Sequence, residues 1–172
     1  MPARDLDRRL PVLRNRMPIQ FVVGDATLPE GEGAKVIVHV CNDAGGWGRG
    51  FVVAISNRWK RPEAEYRQWH REPQQIPFEL GQVQFVEVES ALWVANMIGQ
   101  HGVRSEDGVP PVRYEAIRTG LGRVRDFAVE RQASIHMPRI EAGLAGGSWE
   151  KIQEIIEQEL TELSVLVYDL AR

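Results

Sequence analysis

The stretch "AKVIVHVCNDAGGWGRGFVVAISNRWK", residues 34–60, decides the fold. It opens with an almost unbroken β-branched run, 34–42, the pattern of a strand covered on both faces in a parallel sheet. Four glycines then fall within the six residues 45–50, and an apolar stretch at helical spacing follows over 50–60. A strand, a glycine loop and a helix in that order place free backbone N–H groups at a helix start, where they favour an anionic ligand.

The rest of the chain repeats the alternation. Strands are predicted over 19–25, 81–89, 91–100, 134–140 and 164–170. Helices are predicted over 62–72, 114–132 and 149–160. Tyr114, Ile117, Leu121, Val124 and Ala128 share one face of the second of these helices. Ser148 is placed to cap the last helix, whose inward face is Trp149, Ile152, Ile156 and Leu160. The pattern predicts an α/β fold, a three-layer α/β/α sandwich with a mixed central sheet. A second glycine loop, "EAGLAGGS" (141–148), also lies between a strand and a helix. Segment 102–111, "GVRSEDGVPP", reads as a loop and a candidate mobile flap.

The chain has 172 residues, 43% apolar and 26% charged, with a formal net charge of −3. That suits one domain with a substantial core. Residues 1–18 form a basic arm carrying Arg4, Arg8, Arg9, Arg14 and Arg16, and 19–172 form a single domain. The arm is either a solvated tail or a contact for a polyanion or partner. The net charge argues against a general nucleic-acid binder, so nucleic acid is expected only as a modified target. No apolar run reaches membrane-span length, no signal peptide is seen, and the single cysteine, Cys41, fits a reducing cytoplasm. The four histidines lack metal-ligand spacing, and neither a metal nor a cofactor is expected. The glycine spacing at Gly46, Gly48 and Gly50 matches neither the dinucleotide fingerprint nor the P-loop.

Four segments, "VVGDATLPEG" (22–31), "HVCNDAGGWGRGF" (39–51), "MPRIEAGLAGGSWEKI" (137–152) and "VLVYDL" (165–170), together resemble the ADP-ribose-binding macrodomain family. The nearest branch holds ADP-ribose 1''-phosphate phosphatases and terminal ADP-ribose glycohydrolases. The resemblance implies a macrodomain fold and, as ligand, ADP-ribose or an ADP-ribosylated macromolecule. It places Asp25, flanked by Gly24 and Ala26, at the adenine amino group, a turn-forming aspartate being the alternative, and Asn42 near the distal ribose. Gly46, Trp47, Gly48, Arg49 and Gly50 would wall the phosphate and distal ribose. Gly143, Leu144, Ala145, Gly146 and Gly147 would wrap the diphosphate, and Tyr168 either flanks the adenine or belongs to the core.

Where that branch carries a nucleophilic lysine this chain has Glu87, and where it carries an aspartate this chain has Ala145. The only lysines are Lys35, Lys60 and Lys151, so the lysine-dependent reaction is not expected. Glu141 replaces a usual glycine, and there it opposes a terminal phosphate by charge repulsion, serves as acid or base, or faces solvent without a function. Two readings follow: a module that binds ADP-ribose, or a phosphatase or ADP-ribosyl hydrolase that activates water through His39, Asn42, Asp43 or Glu141. His39 is alternatively a hydrogen-bonded core residue.

Overall fold

The computed structural model describes residues 17–140 and 146–171. Six strands and four helices follow in the order β1 (Gln20–Val23), β2 (Lys35–Asn42), α1 (Phe51–Arg58), α2 (Arg61–Arg71), β3 (Val83–Glu89), β4 (Leu92–Gln100), α3 (Tyr114–Arg131), β5 (Ser134–Pro138), α4 (Trp149–Glu159) and β6 (Val165–Asp169). Each falls where the periodicity placed it, with ends shifted by a residue or two.

The sheet order is β1-β6-β5-β2-β4-β3. The first five strands in that order run parallel, and only β3, at the edge, is antiparallel to its neighbour β4. The sheet is therefore mixed, with helices on both faces, as the sequence pattern predicts. Alternation along β2 makes the division visible. Val36 and Val38 pack with Met97, Ile117, Leu121, Ile135, Ile152 and Ile156 on the side of α3 and α4. Ile37 and Cys41 pack with Val52, Ile55, Tyr66, Trp69 and Ile98 on the side of α1 and α2.

Of the predicted inward face of α3, Ile117, Leu121, Val124 and Ala128 are fully buried, while Tyr114, at its start, is half-buried. Gly120 sits on that face because a Cβ there would lie 2.5 Å from the Met97 side chain. Its absence lets the helix ride close on β4. Gly120→Val should therefore lower the urea-unfolding free energy by about 2–3 kcal/mol through overpacking. An unchanged midpoint would show that Met97 simply moves aside.

Parallel direction has a functional consequence. The carboxyl ends of β1, β6, β5, β2 and β4 lie along one edge of the sheet, where open α/β sheets bind ligands. Backbone bonds tie neighbours there: the Gly24 N–H donates to the Asp169 carbonyl at 2.8 Å, and the Asp43 N–H donates to the Gln100 carbonyl at 3.0 Å. Glu87 stands opposite Trp93, which stands opposite Val36 near the start of β2. It thus lies toward the other end of the sheet from the glycine loops.

Candidate functional site

The first glycine loop leaves β2 and is held by the side chain of Asn42. Asn42 Oδ1 accepts the N–H groups of Ala44 and Gly46, each at 3.0 Å, and its Nδ2 donates to the Gly46 carbonyl at 2.9 Å. The Tyr66 hydroxyl, from α2, donates to the Asn42 carbonyl at 2.6 Å. Burial pushes the Tyr66 phenol well above its ordinary range, so it remains a neutral donor. Gly45 takes φ 80° with the His70 ring directly against it, leaving no room for a side chain. Asn42 thus shapes the loop from within.

Trp47 is also turned inward. Its indole is 7% exposed, donates to Ser56 Oγ at 2.8 Å and packs edge-on against His39. The large apolar ring fills the gap between β2 and α2, so its side chain is not part of the loop's outer wall. Gly48, Arg49 and Gly50 are exposed, and a Cβ on Gly48 would meet nothing within 4 Å. Gly50 forms the N-cap of α1 without a side-chain bond, so the first-turn N–H groups have no side-chain cap.

His39 lies in the core at 1% exposure. Its Nε2 is 2.6 Å from Asn96 Oδ1, while Asn96 Nδ2 donates to Gln84 Oε1 and the Pro62 carbonyl. That arrangement places the proton on Nε2. Burial pushes the imidazole down to about 4, against the opposing pull of Asn96, so the ring is neutral near pH 7. A buried, neutral imidazole bonded through Nε2, with the Cys41 sulfur 4.0 Å from Nδ1, has the hydrogen-bonded core position that the sequence left open.

Gly24 and Asp25 follow β1. Asp25 Oδ1 accepts both the N–H (2.8 Å) and the hydroxyl (2.7 Å) of Thr27, and Arg58 Nε donates to the same Thr27 oxygen at 3.2 Å. Both of these Asp25 bonds use Oδ1, and no hydrogen bond among the described residues uses Oδ2. The Ala26 side chain is buried at 3%. Tyr168 is a core residue lying under Gly24, with its ring 3.5 Å from the Cβ position there. Its hydroxyl is 2.7 Å from His136 Nδ1 and accepts the Glu30 N–H at 2.8 Å.

In the second loop, Glu141, Gly143, Leu144 and Ala145 lie outside the described residues. Gly146 and Gly147 are described, and the Ser148 N–H donates to the Tyr114 hydroxyl at 2.9 Å. Ser148 is the N-cap of α4 as predicted, but makes no side-chain cap bond. At the exit of β5, Arg139 pairs with both oxygens of Asp169, at 2.6 and 3.0 Å, and lies over the rings of Phe21 and Trp149.

Segment 102–111 is a structured excursion. Glu106 and Val109 exchange backbone bonds around Asp107 and Gly108, both at positive φ, which is a type I′ hairpin turn. Its base is closed by the His101 N–H on the Pro111 carbonyl at 2.9 Å. Val103 approaches the Cβ position of Gly46 to 3.4 Å, and Pro110 approaches that of Gly146 to 2.9 Å. The excursion thus touches both glycine loops.

His101, between the end of β4 and this segment, was given no role by sequence reasoning. Nδ1 of His101 is 2.8 Å from Asp43 Oδ2, and Asp43 Oδ1 accepts the Gly102 N–H at 2.8 Å. Burial alone would raise the Asp43 pKa, but the Gly102 N–H and His101 outweigh it and hold the carboxyl below its ordinary value. The available signal was topological: His101 follows the strand next to β2, on the edge that carries Asn42 and Asp43. Among the described residues no three His, Cys, Asp or Glu side chains gather to hold a metal ion. No helix there is long and apolar enough to cross a membrane.

Fold and site together define an α/β domain with two glycine loops and a hairpin gathered on one edge of a parallel array. A macrodomain protein from Streptomyces coelicolor is 55% identical, covering 88% of this chain and 99% of its own, with a TM-score of 0.79. The chain belongs to the macrodomain family. A Bacteroides thetaiotaomicron structure of unknown function is 54% identical over 90% of this chain and 99% of its own, with a TM-score of 0.87. The ADP-ribose 1''-phosphate phosphatase of Candida albicans is 25% identical over 87% of this chain and 98% of its own length. The chromodomain-helicase-DNA-binding protein 1-like of Danio rerio is 27% identical over 83% of this chain, which spans only 14% of that protein; for the mouse protein of that name the span is 17%. No family model matches the chain.

Proposed function

We propose that this macrodomain binds ADP-ribose, free or attached to a macromolecule, along the carboxyl edge of its parallel strands. The observation that carries the reading is the contact of segment 102–111 with both glycine loops, Val103 on Gly46 and Pro110 on Gly146. A glycine loop that runs into the uncapped start of α1, beside the described end of the second loop, suits a diphosphate, whose charge is met by backbone dipoles. Arg49, exposed beside them, supplies a cation for a terminal phosphate or carboxylate. Asp25 Oδ2 is assigned to the adenine amino group. The name of the Candida albicans relative supports the choice of ligand. Cys41, buried and outside any disulfide, suits a reducing compartment, and the cytoplasm is the proposed location.

A second reading, hydrolysis of an ADP-ribose linkage, is favoured by the Asp43–His101 pair at the same edge. Of the three lysines, Lys35 opens β2 at the opposite end of the sheet, Lys60 lies between α1 and α2, and Lys151 lies over the Tyr114 ring. The hydrolysis is accordingly assigned to activated water.

Titration calorimetry with ADP-ribose tests the first reading. Asp25→Ala should weaken binding about 10- to 100-fold, the value of a hydrogen bond to a charged group. Asp25→Asn keeps an acceptor for Thr27 and separates loss of the turn from loss of the adenine contact. No heat with the unaltered protein at millimolar ADP-ribose would remove the reading.

A further inference from the structure

β2 and β4 are neighbouring parallel strands, and the residues just past their ends form a carboxylate–imidazole pair. Asp43 is fixed by three bonds: its N–H to the Gln100 carbonyl, its Oδ1 to the Gly102 N–H and its Oδ2 to His101 Nδ1. The ionised carboxylate accepts from Nδ1–H, which leaves the lone pair on Nε2. The imidazole is 52% exposed against 21% for Asp43, and no hydrogen bond of the described residues involves Nε2. The pair sits at the root of the hairpin that touches both glycine loops. A base held in one tautomer by a carboxylate, with its second nitrogen open, is the arrangement that takes a proton from a nucleophile.

We propose that His101 is the general base of an ADP-ribosyl hydrolase reaction at this edge and that Asp43 is its positioning residue. The proposal rests on the reading that the two loops hold ADP-ribose. In the step, a water oxygen bonds to the sugar C1'' and its proton passes to His101 Nε2. The C1''–O bond breaks, and its electron pair leaves with the departing carboxylate of a modified glutamate or aspartate. That anion needs no proton, and the imidazolium later returns its own to solvent. The products are ADP-ribose and a free carboxylate. A neutral ester is preferred to a 1''-phosphate because Asp43 would repel a second anion placed at His101.

The test uses the full chain and a protein carrying ester-linked ADP-ribose on glutamate, with ADP-ribose affinity measured in parallel. His101→Gln should lower kcat by about 100-fold or more, the range of a lost general base, while ADP-ribose affinity stays within about threefold. His101→Gly should regain turnover on adding imidazole. Asp43→Asn should lower kcat and leave KM unchanged, which a collapsed loop would not do. Full turnover by His101→Gln, or no rescue of His101→Gly by imidazole, would overturn the assignment. An unaltered protein that binds ADP-ribose but releases none from the ester would overturn it too and leave the binding reading standing. Absence of ADP-ribose binding would remove both.

Discussion

Replacing Asn42 with alanine is expected to destabilise the protein by about 3 kcal/mol and to weaken ADP-ribose binding by about a hundredfold. The Asn42 amide satisfies the Ala44 N–H, the Gly46 N–H and the Gly46 carbonyl. Alanine removes all three bonds, each worth about 1 kcal/mol. Tyr66 keeps its bond to the residue 42 carbonyl, so the end of β2 stays in place and the damage is confined to the loop. Urea unfolding reads the first effect and titration calorimetry the second. Asn42→Asp should be intermediate, because it keeps the acceptor for two N–H groups but sets a carboxylate against the Gly46 carbonyl. If Asn42→Ala lost stability yet bound ADP-ribose with unchanged affinity, the loop it shapes would not be the phosphate wall.

The elements were legible because their signals are local. The β-branched run of 34–42 and the 3.6-residue spacing of Ile117, Leu121, Val124 and Ala128 survive any tertiary context that buries them. The two glycine loops were legible as connections at the carboxyl edge of the sheet because both fall between a strand and a helix. Side-chain direction inside a loop was not. Trp47 lies between two glycines, and only the gap between β2 and α2 determines that its indole turns inward. Asn42 illustrates the same limit from the other side, since a polar side chain at a strand end serves a ligand or its own loop equally well by residue type. His101 carries no local mark at all. It becomes visible only when strand order sets the end of β4 beside that of β2. The hairpin at Asp107–Gly108 did have a local signal, the Asp-Gly pair of a type I′ turn, which a reading of 102–111 as a mobile flap passes over.

Stability should fall steeply as pH drops from 6.5 to 4, and two buried histidines account for it. Burial pushes both His39 and His136 down to about 4, with the positive charge of Lys35 adding to the effect on His136. His136 is locked into a neutral chain: its Nε2 lies 2.7 Å from Ser134 Oγ and its Nδ1 2.7 Å from the Tyr168 hydroxyl, which in turn accepts the Glu30 N–H. Above pH 6.5 both rings are neutral in the folded and unfolded chains alike, and their full contribution is present. Below it the unfolded chain takes up two protons that the folded chain refuses until about pH 4, so unfolding gains with each step of acid. The loss approaches about 3 kcal/mol per histidine across the window. Below it, the depressed carboxyls of Asp43 and Asp169 continue the decline as they are protonated. Urea midpoints measured from pH 7.5 to 4.5 give the slope, and His39→Gln and His136→Gln, which cannot be protonated, should each flatten it. The ring-proton NMR signals of His39 and His136 should hold their neutral positions at pH 5 in the folded protein. Signals that move near pH 6.5 would show that protons enter these rings without unfolding, and the acid sensitivity would then have to come from the carboxylates alone.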